Sequence, residues 1–220
     1  MFTAQPSATR RLLDPVERVS EVLFGLIMAL SFTCSISAAE AGRADVREVM
    51  VGAIGCNIAW GVIDAVIYLM TSLTERARGI AMLQAVHRTS NAGDAHSIIV
   101  ESLPPVVAVT LGVDDLEKIR RQLTRVEAPP SSPRLGMNDY LAAAGVFLLV
   151  FLSTFPVVVP FIFVSDTITA LRLSNVVALV MLFFAGHALG RYAQYRPVRM
   201  GMAMMLIGTI LVAITIALGG

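Results

Sequence analysis

The sequence predicts an all-α membrane protein with five transmembrane helices and a small cytoplasmic helical segment between helices two and three. Three observations carry that reading. Hydrophobic residues make up 56% of the 220-residue chain and charged residues only 15%, against about a quarter in a soluble domain. The apolar residues gather into five stretches, residues 22–39, 49–73, 140–164, 173–189 and 198–218. Each is close to the roughly 20 helical residues that cross a hydrocarbon core of about 30 Å. The positive charges between the stretches alternate: fourteen lysines and arginines fall on one set of sides and three on the other. Positive residues are held on the cytoplasmic side, so the N-terminus is expected inside and the C-terminus outside. An even number of spans would spoil the pattern.

Taken in order, residues 1–8 read as a tail, and residues 10–21 as an amphipathic lead-in with Leu12, Leu13, Val16, Val19 and Val22 at helical spacing. Asp14-Pro15 suits a helix start. Glu17 and Glu21 then stand one turn apart at the cytoplasmic mouth of span one. A polar stretch precedes the first apolar run, which is long for a signal core, so span one is expected to stay rather than be cleaved. The short loop at residues 40–48 makes spans one and two an antiparallel hairpin. Span two carries small residues at Gly52, Ala53, Gly55, Cys56, Ala59 and Gly61, which permit close helix approach. Asn57, Trp60, Gly61 and Asp64 fall on one face of it. Asp64 is the centre of the functional argument. A carboxyl inside an apolar span is costly, and such residues face protein or water and mark function.

Residues 74–139 are the one sizeable polar region, with eight acidic and eight basic side chains. Residues 75–88 continue span two, 94–103 form a second helical piece and 114–126 a third. The third starts with acids and ends in bases, in the sense the helix dipole favours. Pro129-Pro130-Ser131-Ser132-Pro133 is a linker into span three. Span three carries Pro156 and Pro160, which predict a kink or a broken helix where a site or gate can form. His187 in span four reads as an interface residue near the cytoplasmic end. Met200, Met202, Met204 and Met205 at the start of span five read as packing rather than as soft-metal ligands. Cys34 and Cys56 read as small buried residues and lack the spacing of a zinc site.

Four places in the chain resemble the vacuolar iron transporter (VIT) family of divalent-metal transporters. Ser20-Glu21-Val22-Leu23-Phe24-Gly25-Leu26 occupies the position of the family's opening of span one, with Glu21 where the family has a metal-binding aspartate. Gly52-Ala53 and Ala59-Trp60-Gly61 echo its second span. Pro156-Val157-Val158-Val159-Pro160-Phe161 looks like its Pro-Leu-Leu-Pro-Phe, one residue longer. Residues 206–219 are similar to its closing glycine pattern. The family's Gly-Glu-Tyr in span two is missing, and Asp64 lies about a turn earlier than that glutamate. Met70 falls close to the family's methionine on the ion path. The run of Glu-x-x-Glu repeats in the cytoplasmic segment is absent.

The resemblance implies a five-span divalent-cation transporter for iron or manganese. A cation in a low-dielectric path needs oxygen or soft ligands in place of water. Glu21 at the mouth, Asp64 at mid-depth, Asn57, Met70 and Glu17 are the candidate metal ligands, with Pro156 and Pro160 as gating or kink positions. Two carboxylates would also bind protons and permit exchange. The metal is cargo, and no permanently bound cofactor is expected. Five spans make a thin wall, so a homodimer in membrane lipid is expected. The rival class is a non-transporting membrane scaffold or partner subunit on the same fold. An enzyme is not expected, since His87, His96 and His187 are scattered and form no catalytic set. No basic, aromatic-interleaved patch suggests nucleic acid. A bacterial plasma membrane is the expected location.

Overall fold

The computed structural model describes residues 13–40, 46–126 and 132–217, and of residues 34–40, 46 and 215 the backbone alone. The tail at residues 1–8, the start of the lead-in, most of the first loop and much of the proline linker lie outside these residues. Every regular element among the described residues is a helix: α1 (Pro15–Glu40), α2 (Val46–Arg88), α3 (Ala92–Ser102), α4 (Pro105–Ala108), α5 (Val113–Arg125), α6 (Met137–Phe163), α7 (Thr167–Tyr192) and α8 (Pro197–Ala217). Four contain windows long and apolar enough to cross a membrane, namely α2, α6, α7 and α8. The described part of α1 begins with Glu17, Arg18 and Glu21, and its apolar stretch continues into the residues of which only the backbone is described. All-helical architecture with membrane-crossing helices makes this an integral membrane protein.

Contact density divides the chain into two units, Met1–Tyr68 with Met137–Gly220, and Leu69–Gly136. In the first, α1 packs against α6, α7 and α8, and α7 and α8 form a tight hairpin. The core follows from small and aliphatic residues at helical spacing. On α7 the buried positions include Ala170, Ser174, Ala178, Leu182, Gly186 and Gly190, every fourth residue. Such a row of mostly small side chains lets backbones approach closely where lipid offers no hydrophobic drive. Leu23, Leu26, Ala29 and Leu30 of α1 bury against Val157 of α6 and Ala178 and Leu182 of α7. A β-carbon on Gly186 would stand 2.7 Å from Met204 Cγ and 2.9 Å from the Met200 carbonyl. Met200 and Met204 are therefore packing residues of the hairpin, and Met202 is exposed. Gln194 turns the chain between α7 and α8 with φ of 53°.

α7 starts earlier than the apolar stretch suggests. Asp166 caps it, accepting from the Thr169 amide at 2.9 Å and from Thr169 Oγ1 at 2.6 Å. Those bonds hold the Asp166 carboxyl below the usual aspartate range. α6 runs through Pro156 and Pro160 without a break. Ser174 Oγ of α7 donates to the Val157 carbonyl at 2.7 Å, a bond that ties α7 to α6. Of the kink or broken helix expected from the prolines, the break is not formed.

The second unit has its own small core of Val86, Ile99 and Leu116. Asn91 caps α3 through the Gly93 amide at 3.0 Å, and α5 is strongly amphipathic with Leu116 buried. Glu117 joins α5 to α3: it accepts from Arg120 Nε at 2.7 Å and Arg121 Nε at 2.8 Å, and lies 3.1 Å from His96 Nε2. His87 Nε2 lies 2.9 Å from the Leu123 carbonyl.

Candidate metal-ion site

Three contacts define the seam between α1 and α2, and their numbers fall on α1 as they rise on α2, as an antiparallel pair requires. The side chains of Glu21 and Asp64 come into contact, with Glu17 close enough to act on Glu21. Phe24 and Trp60 meet edge to face, ring centroids 5.9 Å apart. Asn57 Nδ2 donates to the Gly25 carbonyl at 3.3 Å and to Thr154 Oγ1 of α6. Close approach by α1 is possible because Gly25 has no side chain. A β-carbon there would lie 2.7 Å from the Val150 carbonyl and collide with Ser153 Oγ.

The carboxyl pair is the chemically pointed feature. Both are half-buried, and two carboxyl groups in contact repel when both are ionised, a repulsion that a proton or a cation between them relieves. Asp64 meets an acid, and among the described residues it forms no ion pair with an arginine. Its contact with Glu21 sets it at the level of the charged start of α1. The two acids therefore stand at one level, toward the end of α1 that starts at Pro15. Glu21 lies 19 residues before the end of α1 at Glu40 and Asp64 lies 18 residues after the start of α2 at Val46, so an antiparallel pair brings them together.

Asn57 is fully buried, and among the described residues its Oδ1 has no hydrogen-bond partner. It lies seven residues from Asp64, roughly 10 Å along the helix, with the Phe24–Trp60 pair between. Glu17 is exposed on the same face of α1 as Glu21, and Asp14 N donates to Glu17 Oε2 at 2.8 Å. Met70 belongs to the other unit and is 63% exposed. Pro156 is half-buried and Pro160 buried in α6. Thus Glu21, Asp64 and Asn57 line one seam. Among the described residues no group of three or more histidine, cysteine, aspartate or glutamate side chains is arranged to hold a metal ion. His187 is half-buried against Phe183, with Nδ1 unbonded. Cys56 is a free thiol, and the side chain of Cys34 lies outside the described residues.

Sequence reasoning missed Thr154, the partner of Asn57. The signal was available: Ser153-Thr154 is a polar pair in an apolar helix, just before Pro156. The small-residue pattern on α2 misled in part. Gly61 does lie against Phe147, 3.0 Å from where its β-carbon would be, but Gly55 has nothing within 4 Å and Ala59 is exposed.

An all-helical bundle, with four helices among the described residues long and apolar enough to cross a membrane, defines a class, integral membrane proteins. The VIT family's sequence profile matches residues 85–220. The chain belongs to the VIT family, a family of membrane metal-ion transporters. The matched residues take in α3 to α8 and not the carboxyl pair. No curated protein matches the chain.

Proposed function

We propose that the protein carries a divalent metal cation, iron or manganese, across the bilayer in exchange for protons. Glu21 and Asp64 are the binding pair. The observation that supports this reading is their contact across the α1–α2 seam, since a proton and a cation are alternative solutions to the same repulsion. Loading the site with metal expels the shared proton, and reprotonation releases the metal. Asn57 Oδ1 offers a further oxygen along the seam, and the Phe24–Trp60 pair is an apolar barrier between the two levels. α1, 26 residues long and packed among α6, α7 and α8, is the fifth span of this reading. The alternating positive charges support an inside N-terminus and an outside C-terminus. A bacterial plasma membrane is the proposed location. The apolar α2 face bearing Val51, Ile58, Val62 and Ile63 is available for lipid or for a second copy, and we take the protein as a homodimer.

The test is uptake of iron, manganese and zinc into proteoliposomes, with and without an imposed pH difference. Glu21→Gln and Asp64→Asn should each lower flux at least about tenfold, given that even outer-shell partners of metal ligands are worth that much. Undiminished flux in Asp64→Asn sinks the assignment. The second reading, a non-transporting scaffold or partner subunit, is favoured by the absence of a third acidic, histidine or cysteine ligand at the pair among the described residues. Metal-dependent thermal stabilisation that is present in the wild type and lost in the double variant argues against it.

A further inference from the structure

Two open apolar cavities meet on the surface of the first unit, and neither has a part in the transport reading. One, of about 470 Å³, runs between α1, α6 and α7, with Val19, Val22, Leu149, Phe184, Ala188 and Tyr192 among its walls. The other, of about 710 Å³, runs along α6 from Leu13 past Leu141, Gly145 and Leu148 to Leu152. Both are lined by Leu149 and by Arg18. Arg18 is exposed, and among the described residues no carboxylate forms an ion pair with it.

We propose that these cavities and Arg18 form a binding site for one anionic diacyl phospholipid. The two furrows take its two acyl chains, Leu149 forms the ridge between them, and the Arg18 guanidinium takes the headgroup phosphate. The arrangement fits the molecule in three respects. There are two apolar channels rather than one, and they converge. Among the described residues Arg18 is the cation that lines both, and guanidinium matches phosphate oxygens in geometry and charge. Arg18 also lies at the charged start of α1, just before its apolar stretch, at the level where arginine side chains reach lipid headgroups. Tyr192, exposed at the C-terminal end of α7, adds an amphipathic ring of the kind that settles at this depth. With the N-terminus inside, the site opens to the cytoplasmic leaflet, where anionic lipids concentrate. Lipid bound here would brace α1 against α6 and α7. A detergent or a single-chain lipid would fill one furrow and leave the other open.

Native mass spectrometry of the detergent-purified full chain tests this, with dioleoyl phosphatidylglycerol and dioleoyl phosphatidylcholine supplied at equal concentration. The wild type should retain the anionic lipid about fivefold better, the worth of one arginine against an anionic surface. Arg18→Gln, at an exposed position, should bring the two lipids to parity while leaving total binding in place. Ala188→Phe should block one furrow and reduce binding of both lipids. Lyso-phosphatidylglycerol, which has one chain, should bind more weakly than the diacyl form to the wild type and makes the same test should Ala188→Phe fail to fold. Persisting preference for phosphatidylglycerol in Arg18→Gln overturns the headgroup assignment. Equal binding of one-chain and two-chain lipids overturns the two-furrow assignment. Competition by glycerol 3-phosphate as strong as that by the whole lipid reduces the site to an anion site and overturns it as well. None of these readouts depends on metal flux.

Discussion

Gly25 is the residue on which the geometry of the α1–α6 contact turns. Its missing side chain lets α1 lie against Val150 and Ser153, and its carbonyl accepts from Asn57. Gly25→Ala should therefore destabilise the protein by about 1–3 kcal/mol through overpacking, read as a lower melting temperature in detergent. Gly55→Ala is the control on the neighbouring helix. With nothing within 4 Å of the added carbon, it should be neutral or stabilise by about 0.5–1 kcal/mol, since glycine is a poor helix residue. If both substitutions behave alike, the packing of α1 on α6 described above is incorrect. Asp64 was legible in the sequence as a costly acid in an apolar run, and Glu21 as an acid at a span's start. Nothing in the local sequence told that they touch, because a contact across 43 positions depends on the register of two helices.

Among the elements, α6 stays helical through two prolines. Prolines at 156 and 160 withdraw the amide donors that would meet the Leu152 and Pro156 carbonyls, yet the helix continues, and Ser174 of α7 ties the two helices by donating to the Val157 carbonyl. Ser174→Ala should cost about 0.5–2 kcal/mol, the range for hydrogen bonds between membrane helices, whereas Ser174→Thr, which keeps the hydroxyl, should lose less. Differential scanning fluorimetry distinguishes the two. In the second unit, α5 is held to α3 through Glu117. Arg120 first, then Arg121, hold the Glu117 carboxyl well below the usual glutamate range, with His96 adding to the effect. A depressed folded-state value contributes stability that is complete above the ordinary glutamate value, about 4.3, and is lost as pH falls toward the folded value. Between pH 6 and pH 3 the wild-type unfolding midpoint should decline more steeply than that of Glu117→Gln. Parallel slopes would mean the cluster does not stabilise this unit.

For the molecule as a whole, orientation is the open physical quantity with a direct measurement. Single cysteines placed at Asn91 and at Ser165, in a background with Cys34 and Cys56 replaced by alanine, should differ in labelling by a membrane-impermeant maleimide in intact cells. The cysteine at 165 should react and that at 91 should react only after permeabilisation. The reverse result overturns the inside placement of the N-terminus that the charge pattern supports.

The sequence by itself determined the class of molecule: helical because apolar runs of this length must bond their own backbone inside lipid, and membrane-embedded because too few charges remain to clothe a soluble surface. It also marked the acids and prolines worth examining, since each is expensive where it stands. Which acid meets which, that Asn57 finds Thr154, that α6 stays whole through its prolines, and that Arg18 stands where two furrows join were decided only in three dimensions. Those facts depend on the rotation and offset of packed helices, which small differences in side-chain fit select and no short-range pattern in the chain encodes.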